Sequence, residues 1–329
     1  MDLEASPPPP DDPAKDHTAA PPKRARTNSG SSVSAASLHS TRTLQNEDLE
    51  FVHENGRIYG NDSYYMPCDQ VEQDRLTLQH QIFLLALKGK LTTVKVTPST
   101  KRILDLGTGP GDWAVGMAKE YPWAEVTGID MAVWDLDITE SNAGSARVRW
   151  EIDNIDQPGW HFSDTYDLIH LRGMKGVFAS WEGVYGEIYK SLSPGGWVEV
   201  ADYHIELPQM EEENRNPAEF QFPTLARLYL ALLQASVKSG RPLGTYYMHP
   251  TYLTDAGFKD VSTTYVNVPV GQWPEDEEQR TIGKLFLVCV MEMLEPKLLR
   301  LLTGFGDAEK VWSAEEVRAL VELGKKEIL

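Results

Sequence analysis

A glycine-rich turn between a strand and a helix constrains the fold of this chain more than any other feature. Lys101 to Leu106 is a short apolar run typical of a strand, and Gly111 to Tyr121 has the spacing of an amphipathic helix. Gly107, Gly109 and Gly111 join the two, because such a tight turn requires backbone angles that side chains disfavour. A missing Cβ also lets a ligand approach the main chain.

The same alternation continues along the chain. Further short β-branched runs are separated by amphipathic segments, which predicts a parallel sheet covered by helices on both faces. The predicted fold class is therefore α/β, a Rossmann-like doubly wound sheet. The predicted strands are residues 101–106, 124–130, 148–152, 166–171 and 196–202, and two of the predicted helices are residues 111–121 and 181–192.

Helical segments flank this core on both sides. Asp69, followed by Glu72, is a capping-box arrangement that predicts a helix of about five turns lying against the main domain. Residues 204–250 interrupt the alternation, and Pro223 and Gly240 bound one long helix within them. An insertion there lies over the carboxyl ends of the strands, so it is a candidate lid. The remaining predictions are a short helix at 253–257, a sixth strand at 261–268, and helices at 275–302 and 314–328.

The first 45 residues differ in composition from the predicted domain at 46–329. Proline and serine are concentrated at Pro7 to Pro10 and Ser29 to Ser40, with too little apolar surface to offset ordering entropy, which predicts a disordered tail. Pro22 to Arg26 is a short basic motif that fits nuclear import as well as it fits a solvated basic patch. We therefore expect the protein in the cytoplasm, the nucleus or both, without a secretory signal.

Charge and cysteine content exclude several function classes. The formal net charge of −18 disfavours broad electrostatic binding to nucleic acid or to anionic lipid. No apolar run is long enough to cross a bilayer. Cys68 and Cys289 lie far apart and lack the spacing of a zinc site or of a disulfide framework. We expect no bound metal, and partners that are small molecules or proteins.

Three acids accompany the glycine loop. Asp105 precedes its first glycine, and Asp130 closes the second strand, where a carboxylate can accept both ribose hydroxyls. Asp153 ends the third strand region. The Gly-x-Gly-x-Gly spacing lacks the glycine that a dinucleotide-binding loop would place at position 112. The alternative reading is that each glycine is a plain turn and each acid a helix cap.

These motifs, with the turn Leu192 to Trp197 before the fifth strand, resemble the class I methyltransferases that use S-adenosylmethionine (SAM). The resemblance implies SAM as cofactor and S-adenosylhomocysteine (SAH) as product. It implies that the glycine loop faces the methionine part, that Asp130 binds the ribose, and that Met131 packs on the adenine, whose edge Asp153 and the Asn154 amide read. The full predicted cofactor-binding set is Tyr65, Asp105, Gly107, Thr108, Gly109, Gly111, Asp130, Met131, Asp153, Asn154 and Arg172.

A narrower resemblance covers residues 59 to about 329. Tyr64 to Arg75, His80, Tyr166 to Arg172 and Pro269 to Pro274 are similar to the fungal LaeA-like methyltransferases. That family includes regulators of secondary metabolism associated with velvet proteins, and enzymes encoded beside metabolite genes. The resemblance implies a small-molecule or protein methyl acceptor and a velvet-type or adaptor partner, without fixing a substrate. The usual last strand of the family has no counterpart after Leu329.

Candidate residues for the transfer step lie near the strand ends. A strong base is optional, because holding the acceptor near the methyl group supplies much of the acceleration. For a hydroxyl or amine acceptor, His204 is the candidate base, and its alternative is a surface or core-edge role. Arg172 holds an acceptor carboxylate or forms a salt bridge within the protein, and His170 is expected to point into helix packing. The other candidates are Tyr203, Tyr246, Tyr247 and His249.

Two hypotheses for the whole protein remain open on the sequence. The first is a SAM-dependent methyltransferase, in which Tyr64 and Tyr65 either attract the sulfonium through cation–π contact or simply pack. The second is a regulatory subunit that binds SAM but acts through protein contacts, in keeping with the acidic surface and the unassigned base. A nicotinamide-dependent reductase shares the fold, but the glycine spacing is wrong for it and the chain has no Tyr-x-x-x-Lys pair.

Overall fold

The structure is a computed structural model that describes residues 51–134, 147–205 and 222–329. Its strands are β1 (Val52–Glu54), β2 (Arg57–Tyr59), β3 (Arg102–Leu106), β4 (Glu125–Asp130), β5 (Val148–Ile152), β6 (Tyr166–Arg172) and β7 (Leu192–Ala201). Its helices are α1 (Gln70–Ala86), α2 (Asp112–Glu120), α3 (Trp181–Ser191), α4 (Pro223–Lys238), α5 (Pro250–Asp255), α6 (Glu277–Gly304) and α7 (Ala314–Ile328), with a 3₁₀ turn at Tyr246–Met248.

The centre of the fold is a five-stranded parallel sheet in the order β5-β4-β3-β6-β7. The predicted α/β class and the five strands from β3 to β7 are confirmed. The strand order reverses between β3 and β6, and in open sheets the ligand crevice lies at such a switch point, beyond the carboxyl ends of the strands. We call this edge, where β3 to β7 end, the carboxyl edge.

Helices cover both faces of the sheet, as the strand sequences require. Side chains alternate along β3, so Ile103 packs with Trp113 of α2 on one face, and Leu104 packs with Trp181 of α3 on the other. All four of these side chains are at most 1% exposed. Burial on both faces explains why the neighbouring residues Ile103 and Leu104 are both apolar, rather than alternating with polar residues.

A layer of helices forms a separate core cluster. Helix α6 packs against α1, and α4 packs against α6 and α7. Leu228 and Ala231 of α4 are buried in this cluster, together with Tyr65 and Met66, which precede α1. The predicted inserted helix is therefore present. A lid role for residues 204–250 stays a prediction, since residues 206–221 lie outside the described part of the chain.

A short hairpin precedes the helices and was not predicted. Strands β1 and β2 pair antiparallel through a two-residue turn, Asn55-Gly56, whose φ angles are 52° and 80°. Positive φ at both positions is the geometry that Asn-Gly favours in tight hairpins. Arg57 of this hairpin donates to both carboxylate oxygens of Asp69, at 2.6 and 2.7 Å, while Asp69 caps α1. The hairpin is thus tied to the start of α1.

The predicted sixth strand is wrong. Residues 261–268 have no strand or helix assignment, and Tyr265 within them is 88% exposed. In the described part of the chain, β7 has no partner on its outer side. The predicted disordered tail, residues 1–45, lies outside the described residues, so that boundary stays a prediction. No helix in the described ranges has the length and apolarity that crossing a membrane requires.

Candidate functional site

The glycine loop turns the chain from β3 into α2 at the carboxyl edge. Gly107, Gly109 and Gly111 all have positive φ, at 67°, 57° and 87°. An added Cβ would come within 2.6 Å of the Met174 sulfur at Gly107 and within 2.2 Å of the Trp150 ring at Gly111, so protein packing alone requires these two glycines. At Gly109 the nearest atom would be a Leu76 methyl at 3.7 Å. Gly109 is therefore the glycine that leaves its main chain open to a ligand.

Asp105 supports this loop from beneath. Its carboxylate lies 2.7 Å from the Thr108 hydroxyl, which donates to it, and 2.8 Å from Nδ1 of His170. The His170 ring stacks on Trp113 at 3.7 Å, with both rings nearly parallel. Asp105 and His170 are 3% and 2% exposed. As predicted, His170 points into helix packing, and the structure places Asp105 and Thr108 as residues that fix the loop rather than open onto it.

Asp130 stands at the end of β4, directly beside the loop. Its two oxygens each accept one backbone N–H, from Gly109 and from Ala132, both at 2.8 Å. Burial raises the pKa of Asp130, and the two N–H groups act in the opposite direction. Each oxygen keeps a second lone pair, so the carboxylate can still accept the ribose hydroxyls of an adenosyl group. The structure thus brings Gly109 and Asp130 together as predicted.

The predicted adenine-reading residues lie further out along the same edge. Asp153 donates its N–H to the carbonyl of Asp130 at 3.1 Å, which fixes the end of β5 beside the end of β4. The Asp153 carboxylate accepts the Asn154 N–H at 2.7 Å, and both side chains are exposed. Met131 is half-buried. These three residues share the edge with Asp130, but the Asn154 N–H is already engaged.

Arg172 ends β6 as a half-buried cation, and no carboxylate of the described residues pairs with it. Its guanidinium lies 3.0 Å from Nδ1 of His80 and 5.0 Å from the centre of the Phe83 ring. Among the described residues, no carboxylate oxygen lies within 4.0 Å of it. Burial lowers the pKa of Arg172, and the more distant Asp105 and Asp112 oppose that effect. Of the two alternatives for Arg172, the internal salt bridge is not formed within the described residues, and donors of the guanidinium remain available to an anion.

His80 is the residue that receives Arg172. It is 5% exposed, and burial, followed by the charge of Arg172, lowers its pKa to about 4. A neutral imidazole can accept a hydrogen bond through Nδ1, which suits a guanidinium donor. In the sequence, His80 stands out only as part of the family resemblance. Its contact with Arg172 depends on how α1 packs beside β6, which no local pattern indicates.

Three tyrosines lie over the carboxyl ends of β6 and β7. The rings of Tyr64 and Tyr65 are 4.8 Å apart, and the Tyr65 hydroxyl donates to the carbonyl of Lys175 at 2.5 Å. Tyr203 follows β7, and the Lys175 ammonium lies 3.7 Å from the centre of its ring. Tyr65 is buried, whereas Tyr64 and Tyr203 are only half-buried although burial raises the pKa of each.

The other predicted acid–base candidates are not brought to this place. His204 is exposed, with Nδ1 at 3.1 Å from the Thr245 hydroxyl. Tyr247 is fully buried, stacks on Trp181 and donates to Asp202 at 2.5 Å. His249 caps α5. Within the described ranges, no cluster of His, Cys, Asp and Glu side chains is arranged to hold a metal ion.

Two lysines near the tyrosines were missed by sequence reasoning. Lys175 follows β6 and pairs with Asp202 at 3.3 Å, and Lys297 of α6 approaches the Tyr65 ring at 5.4 Å. The sequence signal that could have pointed to Lys297 is that it is the only lysine in the largely apolar segment Met293 to Leu302, most of which is buried. Charged side chains are seldom fully buried in such a segment unless they are paired.

Comparison with known proteins identifies clear relatives. Residues 78–235 match a family described as a methyltransferase domain. Secondary metabolism regulator LAE1 of Cochliobolus heterostrophus is 34% identical over 250 residues, covering 74% of this chain and 78% of that protein. Methyltransferase pytC of Aspergillus terreus is 30% identical and covers 85% and 83%. Protein-methionine methyltransferase laeA of Emericella nidulans is 30% identical and covers 82% and 69%.

Proposed function

The chain belongs to the LaeA-like methyltransferases, a SAM-dependent family, and we propose that it transfers the methyl group of SAM to an acceptor in secondary metabolism. The observation that carries the proposal is the meeting of three groups at the carboxyl edge. Gly109 offers open main chain, Asp130 offers a half-buried carboxylate, and Arg172 offers a cation that no carboxylate of the described residues pairs with. These three groups suit, in that order, the methionine part, the ribose and the carboxylate of SAM.

The residues would divide the cofactor between them. Asp130 would accept the ribose hydroxyls while it holds the loop through Gly109, and Met131 would pack near the adenine. Arg172 would bind the amino-acid carboxylate, because a guanidinium presents paired donors that match a carboxylate. The bound sulfonium supplies an activated methyl group. The role of the protein is then to hold the acceptor in line with that methyl group at near-attack distance.

The acceptor is a metabolite or a protein side chain. One relative carries the name of a protein-methionine methyltransferase, and another is named simply as a methyltransferase. A thioether acceptor gains a methyl group without losing a proton, so it needs no base. A hydroxyl acceptor has to lose a proton, and a base near the tyrosines would then contribute.

Binding measurements on charge-matched variants test the cofactor site. We expect calorimetry to show SAM and SAH binding to the wild type, and Asp130→Asn to weaken it roughly 10- to 100-fold, because hydrogen bonds to a charged group are worth about 1.5–3 kcal/mol. Asp167→Asn is the control, since Asp167 caps the amino end of β3 by accepting from Lys101 and Arg102. Absence of SAM and SAH binding to the wild type would overturn the proposal.

A regulatory subunit that binds SAM without transferring a methyl group is the second candidate. The observation in its favour is that His204, the predicted base, is exposed and engaged with Thr245 rather than placed beside Arg172. Incubation with labelled SAM and candidate acceptors, automethylation included, separates the two. Label transfer supports the enzyme, whereas SAM binding without label transfer supports the regulatory subunit. Pathway function that survives Gly109→Arg would count against the enzyme. A velvet-type or adaptor partner stays a prediction from the family resemblance.

We further propose that the basic motif Pro22 to Arg26 directs part of the protein to the nucleus. The proposal rests on the sequence, since these residues lie outside the described part of the chain. A fluorescent fusion tests it. We expect nuclear signal to fall when Lys23 and Arg24 are replaced by alanine, and to persist when Lys15 and Arg42 are replaced. Equal distribution of both variants would reject the motif.

A further inference from the structure

A lysine stands among the tyrosines at the carboxyl edge, and the cofactor site does not use it. Lys297 lies on α6, and its amino group is 5.4 Å from the centre of the Tyr65 ring and 4.0 Å from the sulfur of Met293. In the described part of the chain, no carboxylate oxygen lies within 4.0 Å of this amino group. A buried amine without an ion-pair partner costs stability, so its retention at this place calls for a role.

The walls around Lys297 are aromatic and apolar. Tyr64 and Tyr65 lie on the side of α1, and Tyr203 lies on the side of β7, where its hydroxyl is 3.1 Å from the Met293 sulfur. Lys297, Tyr64 and Tyr203 each keep part of their surface accessible, so a small molecule can reach them. Aromatic rings and a thioether are surfaces on which a flat aromatic molecule packs well.

The charges that face Lys297 come from three directions. Arg75 and Glu72 of α1 bind each other through two hydrogen bonds at 2.7 and 2.8 Å. Lys175, after β6, pairs with Asp202, after β7, at 3.3 Å, and Asp202 also accepts from Tyr247. Both nearby carboxylates are therefore already engaged.

The amine of Lys297 is consequently poised between its two protonation states. Burial lowers the pKa of Lys297 to about 7, Lys175 and Arg75 act in the same direction, and Asp202 and Glu72 oppose them. At neutral pH a substantial fraction of the amine carries a free lone pair. A base with a pKa near the working pH is the most effective proton acceptor.

We propose that Lys297 is the general base for an acceptor with an acidic hydroxyl group, a phenol or an enol, an inference that rests on the proposed methyltransferase function. The neutral amine takes the hydroxyl proton and becomes an ammonium. The acceptor oxygen forms a bond to the methyl carbon as the carbon–sulfur bond of SAM breaks, and the products are a methyl ether and SAH. The ammonium then releases its proton to water, so that atoms and charge balance.

Position supports this assignment. The Tyr65 hydroxyl donates to the carbonyl of Lys175, soon after β6, and Tyr203 lies just after β7. These side chains therefore lie beyond the same carboxyl edge as the glycine loop. The phenolate formed there would be stabilised by the Lys297 ammonium and by the nearby Lys175. His204, the base predicted from the sequence, has no comparable enclosure, because its side chain is exposed.

The test uses 4-nitrophenol as the probe, because its phenolate absorbs visible light. The probe is titrated with pH in the presence of SAH-saturated wild type, Lys297→Met and Lys284→Met, the last being an exposed lysine on the same helix. In the wild type the pKa of the bound probe is expected to fall below its value in buffer, because the ammonium stabilises the phenolate. In Lys297→Met it is expected to rise above that value, because burial without a cation disfavours the charged form. Lys284→Met should match the wild type.

Two measurements keep the outcomes distinct. Calorimetry with SAH tests the proposed function separately: a protein that binds SAH but not the probe, or that gives the bound probe the same pKa with and without Lys297, overturns the role of Lys297 alone. If Lys297→Met does not fold, competitive acetylation of the wild-type lysines is followed against pH by mass spectrometry. Lys297 should then titrate near neutrality, and a labelling curve that coincides with that of the exposed Lys284 would reject the proposal.

Discussion

The buried pair of Asp105 and His170 illustrates how one residue contact holds the cofactor loop. Replacing His170 by leucine leaves the Asp105 carboxylate buried, with the Thr108 hydroxyl as its remaining side-chain partner. Leaving a buried polar group without one of its hydrogen-bond partners costs roughly 1–3 kcal/mol, and more when the group is charged. We expect urea unfolding to show a loss of that order for His170→Leu. His249→Leu, at an exposed helix cap, should lose about 1 kcal/mol, and equal losses would contradict this account.

A second residue, His80, gives the fold a defined response to acid. Its pKa is lowered to about 4 from an ordinary 6.5, so the unfolded chain takes up the proton first as the pH falls. The contribution of neutral His80 to the free energy of unfolding is fully present above pH 6.5. It falls by about 3 kcal/mol in total as the pH drops from 6.5 to 4. His80→Gln keeps an acceptor for Arg172 but does not titrate. The stability difference between the two proteins should therefore change across that window, and a constant difference would refute the assignment.

At the scale of elements, close packing rather than helix propensity decides the effect of a glycine in α6. An added Cβ at Gly283 would lie 2.1 Å from the Gly271 carbonyl oxygen, whereas at Gly186 of α3 no atom lies within 4 Å. Replacing a helical glycine by alanine stabilises the helix by about 1 kcal/mol, whereas forcing extra atoms into a packed region costs about 1–3 kcal/mol. We expect Gly186→Ala to raise the midpoint of denaturation and Gly283→Ala to lower it. Two increases would show that the loop at Gly271 yields freely.

The elements that could be predicted are those whose signals are local. The strands from β3 to β7 are buried runs, and helices such as α1 begin at a capping side chain, so composition and spacing locate them to within a few residues. Residues 261–268 carry the same β-branched signal but have no pairing strand in the described structure, because pairing depends on neighbours that a local pattern does not reveal. The Asn55-Gly56 sequence is typical of a hairpin turn. The strands on either side have only three residues each, too few to show the alternation that indicates a hairpin.

At the scale of the whole molecule, the two halves of the site differ in how far the sequence predicts them. The glycine loop and Asp130 belong to consecutive strand ends, so their meeting follows from parallel topology. The surface around Lys297 joins α6 to tyrosines about 90 to 230 positions earlier, and nothing local indicates that α6 packs on α1. Such contacts depend on how helices from distant parts of the chain pack together, so no local sequence pattern predicts the acceptor side of the site.

Ligand binding should stabilise the whole domain, which gives a last prediction. SAH at a hundredfold its Kd would contribute about 2.7 kcal/mol, a rise of roughly 5 °C in Tm for a domain of this size. Gly109→Arg should abolish that rise, because the side chain fills the open face of the loop. Gly195→Arg is the control: its φ of 79° imposes a similar backbone strain, but Gly195 lies near the start of β7, at the opposite edge of the sheet. Both variants should lose stability without ligand, and only Gly195→Arg should recover it with SAH in differential scanning fluorimetry.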